Sequence, residues 1–529
     1  MQRRSLLAGA AGLAAGWPLA RPALAQGASN STLRFVPHAD LNLLDPLANT
    51  AYATRNHGHL CWDGLYGLDA ELRPQPQLAE GHVVEEEGRR WTFTLRDGPT
   101  FHDGEKVRAA DAVASLQRWM AKDTHGQTLA ERLDEIRALD DRRFELRLSR
   151  PFSAMLAALA KPSAYPCFIY PERFARLPAT TPLREVVGSG PYRFVAEERV
   201  PGQMAVYRRY AGYQPASGPV SLTAGPKLAG FERLEWRHMP DPLEAAEALQ
   251  NGEVDWWEQV APDFRPILKH RAGVMVERLE VGGTVAMLRP NHLHPPFDNP
   301  AVRRALLPAL RQTDFMAAIM GDNRELWRDE VGCFPDGSPL ASDAGLSALT
   351  GPRDVEAARR ALRESGYKGE AVVMLHPTDV VNNSNLTAVA TDLLQRIGFR
   401  VESVPCDWRT LLQRRTVKLP PQQGGWSAMV VLFGGLDLMN PGGHPLLRAN
   451  GEKAWFGWPQ APRLEALREQ WFDTPGLPAQ QKLARDIQRQ FFQDLPFHPL
   501  GQYLMDSAWR SNLTSPRRGM VLPLNVKRV

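Results

Sequence analysis

The chain has 529 residues, more than one ordinary domain holds, so two or more cores or one very large α/β body are expected. With 43% hydrophobic and 23% charged residues, its composition is that of a folded globular protein and excludes a disordered or collagen-like chain. The formal charge of +4 falls to about +1 without the leader that carries Arg3, Arg4 and Arg21, a mixed-sign balance unlike that of a partner for nucleic acid or an anionic membrane.

That leader is "MQRRSLLAGAAGLAAGWPLARPALA", residues 1–25. Two arginines precede an uncharged stretch from Ser5 to Ala20, and Ala23-Leu24-Ala25 closes it with small residues, the pattern of a cleavable export signal. The stretch is short, broken by Gly and Pro and richer in Ala than Leu, so it would span a bilayer poorly. Arg3-Arg4 followed by Ser-Leu-Leu resembles a twin-arginine signal and equally fits an ordinary basic n-region. No later stretch approaches eighteen consecutive apolar residues, so the exported protein is expected free in its compartment. Cys61, Cys167, Cys333 and Cys406 are widely spaced; an oxidising compartment permits disulfides, but connectivity is not readable and buried free thiols are as good a reading.

In chain order, Leu33 and Phe35 alternate with Thr32 and Arg34 in a short strand that runs into a loop. Trp91, Phe93 and Leu95 alternate with Thr92, Thr94 and Arg96 before an Asp97-Gly98 turn, and a second turn follows at Asp103-Gly104, so this region is rich in hairpins. Ala109, Val113, Leu116 and Met120 recur at helical spacing. Asn299 and Pro300 open a helix carrying Val302, Ala305, Leu306, Ala309 and Leu310 on one face, which Pro308 should kink. Further on, Asp354 caps "VEAARRALRES", Gly366 stops it, "AVVMLH" is a buried strand, "LTAVATDLLQRI" a helix ended by Gly398, and "FRVESV" the next strand. That alternation implies a mostly parallel sheet flanked by helices.

The search for chemistry finds no serine-hydrolase elbow, zincin motif, Walker loop or dinucleotide fingerprint. "VGSGPY", 187–192, leads into a strand instead of a helix and reads as a turn. His57, His59 and Cys61 alternate in "HGHLC" and His292 and His294 in "NHLH", but no partner cluster has metal-ligand spacing, so they read as ordinary loop or strand-face residues. Trp455, Phe456 and Trp458 in "KAWFGWPQ", and the tandem Trp256-Trp257, fit either packing between lobes or a stacking wall for a ligand.

"LNLLDP", the block from Asp63 to Trp119, "VGSGPYRFV", "LQNGEVD", "NHLHPPFDNPAVRRAL", "ALRESGY" and a closing α/β region occur in this order. Together they resemble the periplasmic solute-binding proteins of peptide-type ABC importers, the dipeptide and oligopeptide binding family (extracellular solute-binding family 5), over nearly the whole chain after the leader. The resemblance implies an α/β fold of the two-lobe periplasmic-binding-protein clam type, type II-like, with three domains and mixed sheets flanked by helices. Domain I would take 27–72, 187–283 and 497–529, domain II 73–186 and domain III 284–496. It implies periplasmic capture of a peptide or small solute, delivery to an ABC permease and ATPase complex in the inner membrane, a monomer, no nucleic-acid partner, no cofactor, no metal and no catalytic residue.

In that family a strand leads into an Asp-x-x-acid-Pro motif whose first aspartate pairs with the peptide ammonium. Here "WSAMVVLFGG" resembles the strand and "DLMNP" the motif, so Asp437 takes the amine-binding position and Asn440 replaces the second acid. Phe433, Gly434 and Gly435 stand where a tryptophan is usual, and the two glycines make room for a bulkier ligand or leave a more mobile loop. Trp426 reads as core. Tyr52, beyond the "LDP" turn, falls where a contact to extended ligand is expected. Ligand residues are therefore expected at Asp437, Tyr52, Phe433, Gly434 and Asn440. Family members also carry opines, sugars, metal chelates and haem, and a periplasmic receptor or chaperone could use the same cleft. A secreted peptidase would need a nucleophile and base that the sequence does not show.

Overall fold

The computed structural model describes residues 31–474 and 476–529; the expected export signal lies outside the described residues. Among the described residues no helix is long and apolar enough to cross a membrane.

The first lobe is built on a seven-stranded sheet. Its central strand, Thr32–Val36, runs parallel to Arg233–Arg237 on one side and to Trp256–Trp257 on the other. Leu33 and Phe35 are buried while Thr32 and Arg34 are half-buried, the alternation expected of a strand with one face on the core. Trp256 packs edge-on against Phe35 at 5.3 Å and donates its indole N–H to Ser507 Oγ at 2.7 Å, so the tandem tryptophans are core. A four-stranded antiparallel sheet, ordered Ala79–Glu85, Arg90–Leu95, Arg143–Leu148 and Leu133–Ala138, supplies the hairpins of residues 73–186. Trp91, Phe93 and Leu95 face inward, towards the same core as the helix Ala109–Met120.

The second lobe holds a six-stranded sheet in the order Trp327–Arg328, His498–Tyr503, Thr284–Pro290, Ala428–Gly434, Ala371–Pro377 and Arg400–Cys406. It is mixed, not mostly parallel: Ala371–Pro377 is parallel to both neighbours, but Thr284–Pro290 is antiparallel to both of its own. The local β-α-β unit was legible; the antiparallel strands come from segments far away in sequence. Asn299 caps its helix through Ala301 N–H at 2.9 Å, as expected, but the helix Pro300–Arg304 ends instead of kinking. Its last residue lies four before Pro308, whose ring would collide with that carbonyl in a continuing helix. The helix Val381–Ile397 starts five residues before the expected Leu386.

Two separate large cores match the two lobes. The chain crosses between the sheets at 278–283 and at 504–506, joined by the Arg278–Asp506 ion pair of 3.4 Å. The strand His498–Tyr503 belongs to the second lobe's sheet, so the return to the first lobe falls after it and not at 497. Gly282 and Gly283 have positive φ in the first crossing, and a Cβ on Gly283 would meet the Tyr503 carbonyl at 2.4 Å. Only glycine fits there.

Candidate ligand-binding cleft

The strand Ala428–Gly434 ends in a single tight turn, Gly435–Asp437, which carries the Asp437 carboxylate to the face of the first lobe. There Asp437 is 3% exposed and accepts two hydrogen bonds from that lobe: Tyr52 Oη donates to Oδ2 at 2.5 Å and Ala164 N–H donates to Oδ1 at 2.5 Å. Tyr52 Oη accepts in turn from Gly434 N–H. Three segments remote in sequence thus meet across the cleft, and both donors to the acid are neutral groups. A Cβ at Gly434 would stand 3.2 Å from Tyr52 Oη, and one at Gly435 2.3 Å from the Gly282 carbonyl. The room left by the two glycines is filled by Tyr52 and the crossing segment, which corrects the expectation of space for a bulkier ligand or a mobile loop.

Of the other expected ligand residues, Phe433 is buried in the second lobe, edge-on to Trp455 at 5.5 Å, and Asn440 Oδ1 accepts from Gly443 N–H at 2.9 Å within its own loop. Trp426 is fully buried core, as expected.

Tyr52 opens the helix Tyr52–Cys61 and is supported from beneath. The Arg55 guanidinium lies 4.2 Å from its ring centroid and donates to Asn56 Oδ1 at 3.0 and 2.9 Å; Asn56 Nδ2 donates to Glu258 Oε1 at 3.1 Å, and Glu258 pairs with His38 at 2.8 Å. Burial, and next the Asp437 charge, push the Tyr52 hydroxyl well above the ordinary tyrosine range, so it remains a donor. Burial alone would lower His38, but the Glu258 carboxylate overrides it and raises the pKa. Glu280, half-buried in the crossing segment, is pushed up to about 7 by burial and by the charges of Glu258 and Asp437, against Arg55 and His38.

Beside this contact lies a cavity of about 210 Å³ with walls from both lobes. Ala164, which bonds Asp437, borders it together with Lys122 and Tyr165 from the first lobe and Trp455, Phe456 and Trp458 from the second. The aromatic cluster of "KAWFGWPQ" is therefore a cavity wall as well as packing. Sequence reasoning missed Tyr165 and Arg415. Arg415, 6% exposed, follows the helix Trp408–Arg414 and lies 5.3 Å from the Trp455 centroid and 4.7 Å from that of Phe456. Nothing in "LLQRRTV" distinguishes it from a surface arginine.

The histidine motifs are structural. His57 and His59 sit on a helix, not a loop or strand; His57 Nδ1 bonds Tyr207 Oη at 3.0 Å and His59 Nε2 the Pro162 carbonyl at 3.0 Å. Cys61 Sγ is 3.9 Å from His57 Nδ1, yet burial raises the thiol well above its usual pKa and lowers His57 to about 3, the reverse of an activated pair. His294 Nε2 bonds the Lys418 carbonyl at 2.8 Å, and His292 is half-buried in its own lobe, its Nε2 enclosed without a hydrogen-bond partner. Among the described residues no group of three or more His, Cys, Asp or Glu is placed to hold a metal, and all four cysteines are free thiols.

The family model of bacterial extracellular solute-binding proteins, family 5 (Middle), matches residues 73–441. The chain belongs to this family. A probable peptide ABC transporter periplasmic-binding protein, y4tO of Sinorhizobium fredii, is 33% identical over 510 residues, covering 95% of both chains. The glutathione-binding protein GsiB of Salmonella typhi is 28% identical over 315 residues, 58% of this chain and 56% of the relative. Among solved structures, AgaA of A. tumefaciens R10 in complex with agropinic acid superposes with TM-score 0.79 at 20% identity, over 94% of this chain and 99% of that one. The periplasmic binding protein DppA of Helicobacter pylori with the peptide STSA gives 0.77 at 18% identity, over 95% and 99%. At these identities the solved structures establish the two-lobe fold. Solute-binding proteins of this family serve ABC importers as binding components, not as enzymes.

Proposed function

We propose that this family 5 protein acts in the periplasm as the capture component of an ABC importer, closing its lobes around a peptide or similar small solute and presenting it to a membrane permease and ATPase. The observation that carries this is the bridge from Asp437 to Tyr52 and Ala164, which spans both lobes at the edge of a cavity that both lobes wall. A ligand shifts a clam towards closure only if it binds the closed form better, which requires contact with both sides. The name of the Sinorhizobium relative supports a peptide. Asp437 is the residue we assign to a ligand ammonium group: both groups that donate to it are neutral, so among the described residues no cation of the protein pairs with it, and Tyr52 and Gly434 position it. That one chain supplies both walls supports a monomer as the working form.

Asp437→Asn is expected to weaken binding of an amine-bearing solute more than tenfold, about 1.4 kcal/mol or more, with unchanged far-ultraviolet circular dichroism. Calorimetry with the solute released from protein purified out of its own periplasm, identified by native mass spectrometry, measures this. Unchanged affinity would remove Asp437 as the amine contact.

A further inference from the structure

Among the described residues, two aromatic side chains stand on left-handed backbone, Tyr165 at φ 55° and Trp458 at φ 45°, and both border the cavity between the lobes. A bulky L-residue is strained in that region, and such strain persists only where the surroundings impose it. One of the two comes from each lobe, and named contacts impose both. In the first lobe the carbonyls of the loop 161–165 are held by side chains: His59 Nε2 bonds that of Pro162 at 3.0 Å, Lys161 Nζ donates to that of Ala164 at 2.7 Å and Trp119 Nε1 to that of Tyr165 at 3.0 Å. In the second lobe the fully buried Arg289 donates to the carbonyls of Trp455 at 3.0 Å and Phe456 at 2.7 Å, and to those of Leu446 at 3.0 Å and Pro496 at 2.8 Å. Gly457, at φ 97°, lies against the Pro290 carbonyl, where a Cβ would come within 2.6 Å, and Trp458 follows it.

The rings of Trp455, Phe456 and Trp458 pack on one another and on Phe433 and Trp426, not on Tyr165. The cavity therefore has an aromatic residue of one lobe and an aromatic wall of the other, out of contact with each other. Its charged neighbours are answered within the protein or reach water: Lys161 pairs with Asp123, Arg448 and Lys453 pair with Glu131 at 3.6 and 3.8 Å, Glu452 is exposed and Lys122 half-buried. Of the lining atoms enclosed without a partner, Thr124 Oγ1, Gln127 Oε1 and Trp455 Nε1 are neutral, and the fourth is Nε of the paired Arg448. The neutral three offer an acceptor, a donor and a hydroxyl that can be either. The volume of about 210 Å³ exceeds the roughly 150 Å³ that holds benzene and falls short of the roughly 300 Å³ at which pockets for drug-sized ligands begin. One ring fits.

We infer that this cavity is a preformed clamp for one flat ring with a neutral hydrogen-bonding edge, such as a phenol or an indole, taken between Tyr165 and the wall of Trp455, Phe456 and Trp458. This rests on the capture reading above and names the substrate class of the same cleft. Because the side chains that hold both strained turns are in place beforehand, little ordering is left for the solute to impose.

The test uses Ala-Tyr, Ala-Phe and Ala-cyclohexylalanine, whose ring is puckered and has no π face, together with p-cresol as the ring alone. In calorimetry with the mature protein, Ala-Tyr is expected to bind about tenfold or more tighter than Ala-cyclohexylalanine, and tighter than Ala-Phe, while p-cresol raises the melting temperature. Tyr165→Phe is expected to keep the preference for the flat ring. Tyr165→Asn, a residue that tolerates left-handed backbone, is expected to leave the unliganded melting temperature close to that of the wild type and to bring the preference to about threefold or less. Equal binding of flat and puckered rings by the wild type, a Tyr165→Asn variant that keeps the preference, or no binding of either Ala-Tyr or p-cresol would overturn the clamp; equal binding of Ala-Tyr and Ala-Phe would overturn its polar edge. Small-angle scattering with Ala-Leu and trialanine separates the two readings. Compaction around one of these, indifferent to Tyr165, would retain solute capture while refuting the clamp, whereas no compaction with any solute counts against capture itself.

Discussion

At the scale of single residues, what burial does to charge gives the protein opposed pH responses. His57 and His444 are lowered to about 3, and His102 and His498 to about 4, in each case chiefly by burial. Their folded pKa values lie below the unfolded value near 6.5, so the stability linked to them is present above that pH and is lost as pH falls. Each histidine contributes about 1.4 kcal/mol per pH unit on that descent, and urea unfolding at pH 6 and pH 5 should show a steep loss. Glu280 behaves oppositely. Its pKa, raised to about 7, means that its contribution is complete below the unfolded carboxyl value and is lost as pH rises through 7. Between about pH 5 and pH 7 this loss opposes the gain from the histidines, so Glu280→Gln should make the melting temperature rise more steeply across that window than in the wild type and leave the slope above about pH 8 unchanged; a slope equal to that of the wild type between about pH 5 and pH 7 would remove Glu280 from this role.

At the scale of elements, segments with local signals were legible and those relying on distant partners were not. The caps at Asn299 and Asp354, the stop at Gly398 and the alternating strand around Trp91 are stated by neighbouring residues, and they stand as read. "VGSGPY" reads as a turn, but its need for glycine is tertiary. A Cβ at Gly188 would lie 1.9 Å from the Cys61 carbonyl oxygen, and Gly190 is pressed against the same helix end. The crossing segment is similar. Gly283→Ala, at φ 55° and facing the Tyr503 carbonyl, is expected to cost about 1–3 kcal/mol of stability. Denaturant unfolding measures that cost, and a loss below a few tenths would mean that the crossing yields to the methyl group.

For the whole molecule, the question is what holds one lobe on the other. Besides the Tyr52–Asp437 bridge there is a second clasp, centred on Arg132. Arg132, fully buried, donates to Glu469 at 2.6 Å and Asp473 at 3.3 Å, and its guanidinium lies 5.5 Å from the Phe152 centroid and 5.4 Å from that of Phe472. Residues 132 and 152 belong to the hairpin-rich part, and 469–473 to the other lobe. Arg132→Met keeps the apolar contact but removes both ion pairs, so it should move the population towards the open form. The expected readout is a larger radius of gyration by small-angle scattering and weaker solute affinity, while the wild type compacts when saturated. Equal radii for the two proteins would show that the clasp does not govern closure.

The sequence by itself determined the family, the two-lobe α/β architecture, the hairpin-rich and α/β halves and the candidate acid at Asp437, because block order, periodicity and capping are local and survive without coordinates. The tertiary structure decided who meets Asp437, that the two glycines beside it accommodate the protein's own Tyr52 and crossing segment, and that Arg415 lies unpaired beneath an aromatic wall. Those facts depend on residues tens to hundreds of positions apart being brought within a hydrogen bond or a ring diameter. No local pattern encodes such proximity, and burial, which leaves Arg415 Nε without an acceptor, exists only once the chain is folded.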